Sequence, residues 1–471
     1  MIQFNGPPSP HNDVLSRREM LRVGALSLGG LGLPHLIGSR ALGADAPSSA
    51  PSGLQGSFGK AKNCIILFLS GGPPQHDTFD PKPDAPAEIR GEFDTIATAL
   101  PGLRFTEHLP RTATLMDRVA LIRSMSHTSS GHAVGGYIMF TGYKYQGGGA
   151  DANFMSRKDM PFLGSSVAKV APGAGPMYPT VMVPRRLDAG SKRRAGQSGG
   201  LLGSKYDPLL TGGNPNNDDF RLEQLPLSGN IPSGVFRRRK SLIDQLNSQT
   251  AFLQANPLGE ALKANQEKAL DVLASEEVRR AVDLANADPR ERERYGRNLF
   301  GQCVLLGRRL LEAGTRLVQV NWQRTQGKKG YAWDSHRENF EAMREDLIPP
   351  FDIAFHSLIT DLEDRGLLDE TLVVVAGEFG RSPKITPVNR GREHWPQVFS
   401  VLMAGGGIRG GTVYGASDPT GGYPQDAPVS PAEYTATIFH CLGIDPQTEV
   451  HDELGRPLLL STGKPVAGIL T

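Results

Sequence analysis

Leu372-Val373-Val374-Val375-Ala376-Gly377-Glu378-Phe379-Gly380-Arg381 joins five consecutive apolar residues to a turn that carries a carboxylate and a guanidinium. A run of this length with no polar alternation suits a strand covered on both faces, as in a parallel sheet. Five more runs share that character, at 64–69, 119–122, 180–183, 316–321 and 399–404. Segments of helical period lie between them. Residues 298–313 carry Leu299, Phe300, Val304, Leu305, Leu310 and Leu311 and lead straight into the run at Arg316. Residues 340–365 form a longer candidate with Gly366 placed to stop it, and 433–442 a shorter one. Strands alternating with helices predict an α/β three-layer sandwich around a mainly parallel central sheet.

Two portions between about 143 and 290 interrupt this rhythm. Residues 143–227 read as loop-rich, and 235–288 as a largely helical, polar insertion beside the sheet. The run Arg237-Arg238-Arg239-Lys240 is either a solvated helix start or an attractor of anions. The chain has 56 glycines and 36 prolines, close to a fifth of its 471 residues, which implies many turns and long loops. Its 51 basic and 49 acidic residues leave a net charge of +2, which excludes a dedicated nucleic-acid binder. The three cysteines, Cys64, Cys303 and Cys441, cannot make a disulfide framework and read as buried thiols.

At the N-terminus, Ser16-Arg17-Arg18-Glu19 precedes an uncharged, Gly-rich stretch at 23–38 and a small-residue segment at 41–46. That order is a secretory signal pattern, and the paired arginines resemble the twin-arginine form. Residues 1–46 are therefore expected to be a signal peptide that meets the twin-arginine export machinery, and 47–61 a flexible linker. The folded domain is expected over 62–471, in a periplasmic or extracellular protein. The apolar stretch is short and holds Pro34 and His35, so no stable transmembrane anchor is expected.

In open parallel α/β sheets, ligands collect beyond the carboxyl ends of the strands. The residues following the apolar runs are rich in chemistry. Run 64–69 leads into Ser70-Gly71-Gly72, then His76, Asp77 and Asp80; run 119–122 leads into His127, Thr128, Ser129, Ser130 and His132. Asp334, Ser335 and His336 lie in the loop after Asn321, and Glu378, Arg381 and His394 follow Ala376. Five of the nine histidines after residue 46 fall in these loops. Mixed imidazole and carboxylate donors suit a divalent ion such as zinc or manganese, whereas carboxylate-dominated sets lean toward calcium or magnesium. Candidate ligands are Asp77, Asp80, Asp334, His336, Glu378 and His394, with His76, His127 and His132 as further ones.

Thr128, Ser129 and Ser130 precede a helix-like stretch, where their hydroxyls either cap the helix or supply a nucleophile stabilised by the helix end and a metal. Arg381 either grips a phosphate or sulfate oxygen through its fork or pairs with a neighbouring carboxylate. Trp333 and Trp395 either stack on a sugar or aromatic leaving group or pack on the rim.

Taken together, Gly71-Gly72 with Asp77 and Asp80, Trp333-Asp334-Ser335-His336, Glu378-Phe379-Gly380-Arg381 and Gly391-Arg392-Glu393-His394 resemble the bacterial family called domain of unknown function 1501. The resemblance runs from about Lys62 to Leu459. That family looks like a sulfatase-like branch of the alkaline-phosphatase-like superfamily. The resemblance implies that Asp334 and His336 match one ligand group, Glu378 a second and His394 a third. Phe379 stands where the second group of the superfamily offers a His, and the first strand ends in Ser70-Gly71-Gly72 where relatives place an Asp. No Cys or Ser heads the Cys/Ser-x-Pro-x-Arg pattern that sulfatases convert to formylglycine, so an unmodified Ser or Thr is the expected nucleophile.

These readings predict an exported, metal-dependent hydrolase of phosphate or sulfate esters, acting on an anionic ester or glycan. The alternative is a non-catalytic, metal- or glycan-binding envelope protein descended from such an enzyme. A redox protein is disfavoured, because the chain has neither a Gly-x-Gly-x-x-Gly fingerprint after a strand nor a cysteine cluster.

Overall fold

The six apolar runs become six strands of one eight-stranded sheet. The computed structural model describes residues 54, 56–189, 192–222, 241, 269–270, 272, 275–323 and 332–471. In chain order the sheet strands are β1 (Asn63–Phe68), β2 (Val119–Met125), β3 (Thr180–Val183), β4 (Leu209–Leu210), β5 (Leu317–Asn321), β6 (Thr371–Ala376), β7 (Phe399–Ala404) and β8 (Thr412–Tyr414). Their spatial order is β8-β2-β7-β6-β1-β5-β3-β4. β1 pairs in parallel with both β6 and β5, so it is an interior strand of the parallel part.

Both faces of the sheet are buried. Ile65 and Leu67 of β1 enter one apolar cluster, while Cys64, Ile66 and Phe68 enter the other. On the first face lie α3 (Leu299–Glu312) and α4 (Ile348–Asp364), through residues such as Val304, Leu305, Phe351 and Leu358. The second face is covered by α1 (His132–Thr141), α2 (Leu163–Val170) and α5 (Pro431–Cys441), through Phe140, Leu163, Tyr434 and Ile438. Each fully buried Leu, Ile or Phe contributes about 1.5–3 kcal/mol relative to exposure, so the uninterrupted apolar runs are what the three layers require. The three cysteines are buried and unpaired. Residues 50–471 form one compact unit.

Three expectations gain detail or correction. The run at 399–404 is a strand, but β7 pairs antiparallel with β6 and with β2. Residues 340–365 are helical as expected, without a gap from Asn339 to Asp364, but a π-turn at Met343–Leu347 widens the helix before α4 begins. Pro349 and Pro350 in the first turn of α4 lack the N–H groups that would bond back to the preceding turn, which accounts for the π-turn. Gly366 does end α4, with φ +66°. The portion at 143–227 is also more than an insertion, because its described residues contribute α2, β3 and β4. The signal segment and the run Arg237-Arg238-Arg239-Lys240 lie outside the described residues. No helix among the described residues is long and apolar enough to cross a membrane.

Candidate metal centre

Four loops meet at one edge of the sheet because glycines allow their backbones to touch. After β1 the chain turns through Gly71, whose φ is +119°; a Cβ there would lie 2.3 Å from the backbone nitrogen of Asp334. That contact seats the loop after β5 on the loop after β1, and Trp333 N–H donates to Ser70 O at 3.1 Å. Glu378, two residues past β6, accepts the Gly71 N–H on both carboxylate oxygens, at 2.9 and 3.0 Å. Gly380–Arg381 then pairs antiparallel with His394–Trp395, which sets Arg381 opposite His394. The reversed direction of β7 matters here. Its first residue, Phe399, lies at the edge where the parallel strands end, so the residues leading into it join the site. Gly391 passes so close to His336 that a Cβ would sit 2.0 Å from the His336 carbonyl oxygen.

Asp334 is the hub. Its Oδ1 lies 3.1 Å from Nε2 of His336, 3.1 Å from Nε2 of His394 and 2.6 Å from Nη2 of Arg381. Its Oδ2 lies 3.2 Å from Nε2 of His132. One atom each from His132, Asp334 and His394 fall within 4.8 Å of one another, a spacing that could hold a metal ion. His336 adjoins them, its Nε2 2.9 Å from Nε2 of His394.

The opposite nitrogen of each ring is tied to an oxygen. Nδ1 of His132 lies 2.6 Å from Glu378 Oε1, Nδ1 of His336 lies 2.7 Å from Glu393 Oε2, and Nδ1 of His394 lies 2.7 Å from the Ser130 carbonyl. A carbonyl or carboxylate only accepts, so each Nδ1 carries the proton. A neutral ring then presents an Nε2 lone pair. The lone pairs of His132 and His394 and the Asp334 carboxylate, gathered within 4.8 Å, repel unless a cation lies among them. Nε2 of His132 is a buried atom whose one polar neighbour, Asp334 Oδ2 at 3.2 Å, lies outside hydrogen-bond geometry, which fits a metal ligand. Anchoring the far nitrogen to an oxygen is also how metal-binding histidines are oriented.

The Asp334 and Glu378 carboxylates also favour a second proton on His132, which a metal ion would have to displace. Burial opposes charge on His132, but its contacts with Asp334 and Glu378 outweigh this and raise its pKa to about 9. Burial likewise works against the Asp334 carboxylate, yet His132, His394 and Arg381 hold its pKa well below the usual carboxylate range. Glu378 is buried, and its bond to His132 keeps its carboxyl lowered against that burial. Burial and the nearby Arg381 charge lower His336.

Of the residues expected at the site, the structure gathers Asp334, His336, Glu378, His394 and His132, with Glu378 orienting His132. Others lie elsewhere or hold different partners. Asp77 is buried in a two-bond pair with Arg392, at 2.8 and 2.9 Å, and accepts from Asn339 Nδ2 at 2.8 Å. Asp80 faces Lys82, Arg123 and Ser417. His76 is buried with Nε2 2.7 Å from Thr420 O, and burial followed by the Arg392 charge lowers its pKa to about 4. His127 uses both nitrogens on backbone, at Glu378 O and the Ser129 N–H, which leaves no free lone pair.

Arg381 takes the second of its two readings. It is fully buried, donating to Asp334 and to the carbonyls of Gly71, Gly72, Trp333 and Arg392, so its fork braces the loops and meets no ligand. Trp333 is fully buried against Trp322 and Phe351 and cannot stack on a sugar. Trp395 is half-buried and donates to Gly422 O. Glu393 and the Ser130 carbonyl are the partners that sequence reasoning misses. A carbonyl has no sequence signature, and Glu393 is marked only by adjoining His394.

Thr128, Ser129 and Ser130 line an open cleft of about 620 Å³ together with His132, Tyr145 and Arg194. The cleft therefore shares His132 with the cluster.

No functionally curated protein matches the chain by sequence. Among solved structures, the lipoteichoic acid synthase LtaP from Listeria monocytogenes is similar at 11% identity and TM-score 0.35, covering 91% of this chain and 80% of that one. The PsFucS1 sulfatase from Pseudoalteromonas sp. is similar at 12% identity and TM-score 0.34, covering 82% and 68%. A protein in the alkaline phosphatase superfamily from Vibrio parahaemolyticus is similar at 10% identity and TM-score 0.34, covering 84% and 71%. A family model matches residues 61–470, and the chain accordingly belongs to the family of proteins of unknown function DUF1501.

Proposed function

We propose that this protein is an exported hydrolase of phosphate or sulfate esters that depends on a divalent metal. One observation carries the reading: three histidines, each fixed by an oxygen at Nδ1, turn Nε2 toward Asp334. His132, Asp334, His336 and His394 would hold the ion, and three imidazoles with one carboxylate favour zinc or manganese over calcium. A bound ion of this kind supplies Lewis acidity toward an ester oxygen and lowers the pKa of a coordinated hydroxyl.

The chain's own groups do the remaining work. A hydroxyl from Thr128, Ser129 or Ser130, beside His132 in the cleft, would attack the phosphorus or sulfur centre and break its bond to the ester oxygen; the alcohol leaves with the proton, and water then cleaves the resulting enzyme ester. Glu378 and Glu393 keep His132 and His336 in one tautomer. Arg381 holds Asp334 in place. Arg17 and Arg18 direct the folded protein to the twin-arginine route.

A panel of aryl phosphate and aryl sulfate esters tests this reading. Turnover should fall at least about 100-fold on exhaustive chelation and in Asp334→Asn, and return in the wild type when zinc or manganese is restored. Turnover that survives both treatments contradicts it. The non-catalytic reading is favoured by one finding, the commitment of Arg381 to the loops; tight metal binding without turnover of any ester would establish it.

A further inference from the structure

With Arg381 enclosed, the cleft needs another cation if it is to hold an anion, and Arg194 is placed for that task. Arg194 lines the same 620 Å³ cleft as Thr128, Ser129, Ser130 and His132. Its Nε is buried with no hydrogen-bond partner, and among the described residues no carboxylate forms an ion pair with its guanidinium, although its charge helps to lower the Glu378 carboxyl. Nε of Arg123 and of Arg308 is likewise without a hydrogen-bond partner, but those guanidiniums are paired with carboxylates, and the buried Arg292, Arg381 and Arg392 each donate to several acceptors. An arginine nitrogen withdrawn from water without an acceptor is costly unless a ligand supplies one. The backbone beside it points the same way. α1 opens at Gly131 with no side-chain cap, so its first N–H groups, which face no intrahelical acceptor, border the cleft through Ala133 and Val134.

We infer that Arg194 is the anion-binding residue of this cleft, gripping the non-bridging oxygens of a phosphoryl or sulfuryl group between its guanidinium and the opening of α1. A planar guanidinium suits two oxygens of a tetrahedral anion, which a lysine cannot match. The inference rests on the reading of the cleft as an ester site, but binding at Arg194 does not require a metal ligand.

Calorimetric titration of inorganic phosphate and of inorganic sulfate into the full-length protein tests it, with wild type, Arg194→Gln and Arg194→Lys each measured metal-free and after zinc loading. Zinc affinity is measured in the same variants. Because the Arg194 side chain makes no hydrogen bond or ion pair among the described residues, Arg194→Gln should fold and still take up zinc, with only the long-range effect of its charge on Glu378 removed. Its affinity for at least one anion should drop about tenfold or more, with Arg194→Lys in between. Phosphate and sulfate affinities within about twofold of wild type in Arg194→Gln would overturn the inference and leave the metal centre standing. Wild-type protein that binds neither anion at millimolar concentration would overturn it as well. Anion binding that depends on Arg194 in a protein that takes up no zinc would support the inference while refuting the metal centre.

Discussion

Glu378 Oε1 lies 2.6 Å from Nδ1 of His132, and that one contact decides which nitrogen of the ring faces Asp334. The same carboxylate accepts the Gly71 N–H, so the tautomer of His132 is tied to the turn after β1. Glu378→Ala is expected to weaken zinc affinity about 10–100-fold, since outer partners of this type orient the ligand and raise its basicity. Glu378→Gln, which can still offer an oxygen to Nδ1, should lose less. Competition against a chromophoric chelator measures both, and an unchanged affinity in Glu378→Ala would show that His132 is not a ligand.

His132 also sets a pH dependence. Its folded pKa of about 9 stands above the ordinary value of 6.5. The group therefore stabilises the metal-free fold fully below pH 6.5, and that contribution disappears as pH rises through about 9. Metal uptake at pH 7.5 must displace the proton, so titration in buffers of different ionisation enthalpy should show release of about one proton per ion. Zinc affinity should accordingly rise with pH up to about 9. Uptake with no proton release contradicts this picture.

Asp77 is expected to act on stability alone. Asp77→Ala would leave the buried Arg392 guanidinium without its carboxylate, a change that costs about 3–5 kcal/mol. Chemical denaturation should show that loss, while the metal content of the folded fraction stays at the wild-type level. A fall in metal content with normal stability would make Asp77 a ligand after all.

Much of this molecule can be read from its chain, and the parts that cannot have identifiable causes. Apolar runs at 64–69 and 399–404 announce strands because a sheet buried on both faces tolerates nothing polar, but such a run carries no direction. The reversal of β7, which delivers His394 to the site, is consequently invisible in it. β4 and β8, with two and three residues at the sheet edges, are too short to produce a pattern. At the site, Asp334, His336 and His394 stand out as donor residues in loops after strands. Asp77 and Asp80 look equivalent to them in sequence; what separates them is Arg392, and Lys82 with Arg123, brought close only by folding. Arg381 misleads for a related reason, since its acceptors are mostly carbonyls, which every residue possesses.

The central claim is that His132, Asp334, His336 and His394 hold one divalent ion. Elemental analysis of purified full-length protein, beside His394→Ala prepared in parallel, tests it most directly. The account predicts about one zinc or manganese ion per chain in the wild type and a marked loss in the variant, with both folded. A wild type that carries no such ion after zinc and manganese have been supplied, or a variant that retains it fully, would contradict it.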